Sequence, residues 1–278
     1  MKKWLFHGLL VVFFLMFLGS AFLILRYFAQ SRQQKSAFQD LADIMYEATV
    51  PTHAHTSQQQ DAPPADGADT PASPYVEVTD PETGAVLQLL PEFARLYTMN
   101  NHLVGWISIP GTVMDYPVMQ TPDAADYYLY KGFDRQYSRH GCIYIKEDCD
   151  VFAPSDNLTI YGHRMGDGTM FNVLHEYADR DFYEDHRYIT FNTLFTRHKY
   201  EIISVFRISS SVGHPFQYQN FVDAADETEF RDFVDNCSAY ALYDTGVSAA
   251  YGDKLITLST CEYTRANGRL VVVAKCIE

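Results

Sequence analysis

Cys261 closes the stretch Asp253-Lys-Leu-Ile-Thr-Leu-Ser-Thr-Cys261, which reads as an extended strand. Alternation puts Leu255, Thr257, Ser259 and Cys261 on one face and Ile256, Leu258 and Thr260 on the other. A thiol at the C-terminal end of a strand, on its more polar face, suits nucleophilic chemistry; a structural cysteine is more often a small buried hydrophobe. Further on, Gly268-Arg-Leu-Val-Val-Val-Ala-Lys275 reads as a second strand with Arg269, Val271 and Val273 on one side. A turn over Glu262 to Gly268, with the break signal Asn267-Gly268, folds the two strands antiparallel and sets Arg269 near Cys261. An arginine that begins a strand is usually a solvated edge residue. Beside a thiol at the same end of a hairpin, it becomes a candidate partner for a thiolate or an oxyanion.

A third candidate is His163, in Asn157-Leu-Thr-Ile-Tyr-Gly-His-Arg-Met-Gly-Asp-Gly-Thr-Met170. There a short apolar strand ends at Tyr161, and Gly162 permits close backbone approach before a Gly-rich turn. The chain has ten histidines, and a solvated surface role is the default for most. His7 lies in an apolar segment, and His53 and His55 have no further ligand at useful spacing for a metal. His102, His140, His175, His186, His198 and His214 are scattered without a motif. The five cysteines are too few and too irregular for a disulfide scaffold or a CxxC metal site, and no cofactor fingerprint occurs. Spacing leaves a hairpin bridge between Cys142 and Cys149 open. Cys237, on an apolar helix face, and Cys276, at the end of a Val-rich strand, read as packed thiols.

The elements that must position these residues are mostly short strands. They are Val104 to Ile109, Val113 to Val118, Gly141 to Lys146, Asn157 to Tyr161, Ile189 to Phe191, Tyr200 to Ile208, Asp253 to Cys261 and Arg269 to Cys276. Helical faces appear after Pro91 (Phe93, Leu96, Tyr97), after Thr169 (Met170, Val173, Leu174, Tyr177) and after an Asp226-to-Glu229 capping box (Phe230, Phe233, Val234, Cys237). This pattern predicts a closed or nearly closed mostly-β domain running from about residue 87 to residue 278.

Leu9 to Leu25 is an apolar run of 17 residues, extended to 22 from Trp4, which is long enough for a membrane-spanning helix at about 20 residues. The small residues Gly19-Ser20-Ala21 suit a signal-peptide cleavage site, but the apolar stretch continues through them, so an uncleaved anchor over residues 1–30 is expected. Positive charges nearly balance on its two sides and do not set its orientation. Residues 31–86 read as a juxtamembrane segment, capable of a short helix over 31–47, followed by a proline-rich flexible stalk over 50–75. Residues 36–278 carry 16 basic against 35 acidic residues, a balance of −19, which argues against nucleic acid and against adsorption to anionic lipid.

Three segments resemble one family. Thr257-Leu-Ser-Thr-Cys261, Tyr161-Gly-His163 and Arg269 at the start of the last strand are similar to the TLxTC motif, the catalytic histidine and the catalytic arginine of sortases. Gly105-Trp-Ile-Ser-Ile-Pro-Gly-Thr112, Asp115-Tyr-Pro-Val118, Tyr127-Tyr-Leu129 and Gly168-Thr-Met-Phe171 resemble class B in particular. The resemblance covers roughly Leu90 to Lys275; Arg164 after the histidine and the short turn between Cys261 and Arg269 depart from it.

What the resemblance implies is an eight-stranded sortase-type β-barrel with a few peripheral helices, outside a Gram-positive cell behind a single-pass anchor. Its catalytic residues would be Cys261, His163 and Arg269, with no cofactor and no metal. Its partners would be surface proteins bearing a C-terminal sorting signal and, as acceptor, a peptidoglycan peptide amine. Three alternatives stay open: a cysteine protease with water as acceptor, a pilin-polymerising sortase, and a catalytically silent tethered binding domain.

Overall fold

A computed structural model of the protein describes residues 2–47, 73–263 and 267–278. Lys2–Glu47 is one helix (α1), which joins the apolar segment and the expected juxtamembrane helix without a break. No proline interrupts it, and Gly8 and Gly19 are its only glycines. Among the described residues it is the one helix long and apolar enough to cross a membrane. Phe13, Phe14, Phe17 and Leu23 each leave more than half of their surface exposed, an arrangement that suits lipid rather than water. Residues up to Asp40 form one compact unit and Leu41–Glu278 another.

The second unit includes the last turns of α1, where Leu41 and Met45 are buried. Tyr46 Oη donates to Asp115 Oδ1 at 2.9 Å, and the Trp106 indole donates to the same oxygen at 2.6 Å. Most of the stretch expected as a stalk lies outside the described residues. Regular structure then starts earlier than residue 87. Val76–Thr79 (β1) pairs antiparallel with Val86–Leu89 (β2), around a turn in which Asp80 Oδ1 accepts from the amides of Glu82 and Thr83. Both strands are mostly exposed, so no apolar alternation marks this hairpin in the sequence.

After α2 (Pro91–Met99, with Pro91 in its first turn) come eight barrel strands: β3 (Leu103–Ser108), β4 (Asp115–Met119), β5 (Ile143–Ile145), β6 (Asn157–Tyr161), β7 (Tyr188–Thr193), β8 (Lys199–Ser209), β9 (Leu255–Glu262) and β10 (Gly268–Cys276). They overlap the eight stretches read from sequence. The order around the closed barrel is β10-β8-β7-β3-β4-β5-β6-β9. The β4–β5 and β6–β9 pairs are parallel and the rest antiparallel. Closure leaves the barrel itself without an unpaired edge.

The helical face expected after Thr169 is a 3-10 helix, Phe171–Ala178, which buries Phe171, Val173, Leu174 and Tyr177. It leads into α3 (Arg180–Asp185), which sequence did not signal. The other expected helix is α4 (Glu227–Ala239). Asp226 Oδ1 accepts from the amides of Thr228 and Glu229, while Glu229 Oε2 reaches back to the amide of Ala225. Its buried face (Phe230, Phe233, Val234, Cys237) packs in one cluster with Phe206, Phe221, Val271 and Val273, Phe221 stacking on Phe233 at 4.0 Å. At about 1.5–3 kcal/mol for each large apolar side chain buried, this face anchors α4.

All five cysteines are free, so Cys142 and Cys149 are buried without a bridge. Cys237 is fully buried as expected. Cys276 is not; it sits near the chain end, partly exposed, with Sγ directed at the Glu278 carbonyl.

Candidate active site

β9 and β10 pair in a register that sets Cys261 directly opposite Arg269. On its other side β9 runs parallel to β6, with Tyr161 opposite Ser259. The chain leaves β6 through Gly162, whose amide donates to the Ser259 carbonyl at 3.3 Å, and delivers His163. A Cβ on Gly162 would lie 2.6 Å from both Ile143 Cδ1 and Phe171 Cγ, so any side chain at this crossing point would have to displace the Phe171 ring.

The hydroxyls that precede Cys261 explain the polar character of its strand. Thr257, Ser259 and Thr260 are all nearly inaccessible, and each has a partner. Thr257 Oγ1 donates to Asn157 Oδ1 at 2.7 Å, Ser259 Oγ shares a 2.7 Å hydrogen bond with Tyr218 Oη, and Thr260 Oγ1 donates to the Gly162 carbonyl at 2.8 Å. The three hydroxyls therefore tie β9 to the start of β6, to the segment before α4, and to the residue that carries His163. Periodicity from sequence placed them on faces but gave no partners.

His163 is held from the opposite wall. Its Nε2 lies 2.7 Å from the Leu129 carbonyl. A carbonyl only accepts, so Nε2 carries a proton and Nδ1 is the nitrogen left for proton exchange. The Tyr130 ring lies against the imidazole, centroids 5.4 Å apart. Gly141, at φ +60°, lets that wall come close, since a Cβ there would stand 2.5 Å from the Leu129 oxygen. Burial pushes the His163 pKa below the ordinary histidine value; the Leu129 hydrogen bond opposes this and the nearby His140 reinforces it. His140 Nε2 in turn meets Asp167 Oδ2 at 2.9 Å, and Asp167 Oδ1 accepts from Thr169, which pins the Gly-rich turn after His163. Sequence gave His140 no motif, because its partner lies 27 residues away.

Cys261, Arg269 and His163, the three residues selected from sequence, all line one open cleft of about 440 Å³. Each is half-buried, within reach of a ligand yet partly withdrawn from water. Ser259 and Tyr218 also border the cleft. Such a cleft can hold an extended peptide with its carbonyl between a thiol and a guanidinium.

A sortase-domain family model matches residues 107–277, well over half of the chain. The chain is 32% identical over 192 residues to sortase B of Staphylococcus aureus, covering 68% of this chain and 75% of that protein. It is 30% identical over 188 residues to sortase B of Listeria monocytogenes, covering 67% and 74%. The chain belongs to the sortase B family. The solved structure of a sortase B from B. anthracis superposes with a TM-score of 0.68 at 27% identity, covering 90% of this chain and 99% of that one. The barrel, its peripheral helices and the single N-terminal apolar helix are therefore those of a sortase B, and the protein is a cysteine transpeptidase.

Proposed function

We propose that this sortase uses Cys261 as nucleophile, Arg269 as oxyanion partner and His163 as proton carrier. It would cut a C-terminal sorting signal of surface proteins and join the new acyl end to a peptide amine of the cell wall. The observation that carries the assignment is the Cys261–Arg269 rung at the end of β9–β10, in a cleft shared with His163. The Cys261 thiolate attacks the scissile carbonyl, and the charge that develops on oxygen is met by the planar guanidinium of Arg269. Collapse of the tetrahedral intermediate expels the amine, which takes a proton from His163 Nδ1 and leaves a thioester on Cys261. An incoming amine then attacks the thioester, gives its proton to His163 and releases the thiolate.

Burial disfavours the charged form of His163, the form that protonates the leaving amine.

The apolar helix supports a single-pass anchor over residues 1–30, with the catalytic domain on the outer face of the membrane. The acidic balance of the domain keeps it off anionic headgroups. The experiment that tests the reaction class measures how a sorting-signal peptide partitions between hydrolysis and aminolysis as a wall-peptide amine is added. A transpeptidase shifts product towards the amide in proportion to amine. Product that stays hydrolytic at saturating amine identifies a protease, and preference for a protein lysine identifies a pilin polymerase.

A further inference from the structure

His175 makes a contact that the reaction described above does not use. It sits on the 3-10 helix Phe171–Ala178, and its Nε2 lies 3.0 Å from the backbone carbonyl of Cys261 itself. The register shows why that carbonyl needs a partner. Along β9 the odd-numbered residues direct their backbone groups towards β6: the Leu255 amide donates to the Asp156 carbonyl, and the Ser259 carbonyl accepts from the Gly162 amide. Residue 261 is next in this series, but β6 ended at Tyr161 and the chain has turned away, the His163 carbonyl accepting instead from the Phe171 amide. Among the described residues, the Cys261 carbonyl thus points to where a sheet donor would stand and no backbone amide takes that place.

We infer that His175 is a positioning residue, whose imidazole N–H completes the β6–β9 ladder one rung beyond the end of β6 and fixes the peptide plane that carries the nucleophilic thiol. A carbonyl only accepts, so Nε2 carries a proton. Burial holds the His175 pKa below its ordinary value, with Arg164 and Arg207 acting the same way and the Cys261 hydrogen bond and Glu262 opposing. The neutral donor therefore persists at neutral pH. Its effect is geometric: the thiol stays opposite Arg269. This inference rests on Cys261 being the nucleophile.

The test compares the full-length wild type with His175→Phe, which keeps a ring and loses the donor, and with His175→Gln, whose terminal amide restores an N–H near the Nε2 position. The probe is iodoacetamide near neutral pH, with alkylation of Cys261 and of the partly exposed Cys276 followed separately by peptide mass mapping. Expected is an approximately tenfold slower reaction of Cys261 in the Phe variant, the size of one net hydrogen bond, and recovery to within about threefold in the Gln variant. Cys276 should react at an unchanged rate in all three. With a peptide that acylates the wild type, the Phe variant should lose the same factor in kcat with KM nearly unchanged. If the Phe ring does not fit, His175→Ala takes its place with the same criteria. Wild-type reactivity in the donor-less variant, or a Gln variant as slow as it, overturns the positioning role. Absence of an acyl-enzyme in the wild type overturns the assignment of Cys261 instead, so the two failures are distinct.

Discussion

A single rung of the β9–β10 ladder holds Cys261 and Arg269 opposite each other, so under the proposed mechanism a substitution at 269 would act on the thiol and on the oxyanion together. Arg269→Lys keeps the charge but replaces a planar fork with a point, and should lower kcat by about 100-fold or more while the fold stays intact. Steady-state kinetics alongside circular dichroism checks this; wild-type turnover would remove the oxyanion role. His163 sets a second expectation. Below its pKa the thiolate fraction grows with pH while histidine stays charged, so kcat/KM rises and then levels off as pH passes the histidine value. Because burial depresses that value, the acid limb should fall below about pH 6.5, and a limb at or above it would contradict a buried His163 in this role. Cys261 and Arg269 were legible in sequence because strand alternation and one turn fix their relation. His163 was only weakly separable from nine other histidines, since nothing local announces the Leu129 carbonyl 34 residues away.

At the level of elements, the site depends on how β9 grips its neighbours. Thr260→Val preserves shape, removes the 2.8 Å bond to the Gly162 carbonyl and leaves that oxygen without its side-chain donor. A stability loss of about 1–2 kcal/mol is expected, read as a melting point lower by roughly 2–8 °C, together with reduced turnover from a displaced His163. Gly162→Ala should be worse, because the new methyl meets Ile143 and Phe171 at 2.6 Å and must part β5 from the 3-10 helix after His163. A fully active, equally stable Gly162→Ala would show that the crossing point is loose. The eight barrel strands could be read in advance because apolar alternation and Gly or Pro breaks coincide along them. The β1–β2 hairpin and α3 could not, since they are fixed by turn and cap bonds of the Asp80 and Asp179 side chains, which apolar period does not show.

Across the described residues, burial lowers the pKa of four histidines, His102, His163, His175 and His198. Each binds its proton more readily in the unfolded chain, so the fold keeps its full stability above about pH 6.5 and loses it as pH drops through the folded values. Asp80, held far below the carboxylate range by the Tyr97 hydroxyl, adds a loss in the same direction at still lower pH. Thermal melts should therefore shift down by several degrees between about pH 7.5 and pH 5.5, and a melting point flat over that interval would contradict the burial of these rings. The proposed reaction is acyl transfer through a thioester on Cys261. Intact-protein mass spectrometry of the wild type and of Cys261→Ala, each mixed with a sorting-signal peptide library and quenched in acid, tests that most directly. The account predicts a hydroxylamine-labile acyl adduct that maps to Cys261 in the wild type and no adduct in a normally folded Cys261→Ala; an adduct on the alanine variant, or full turnover by it, would contradict it.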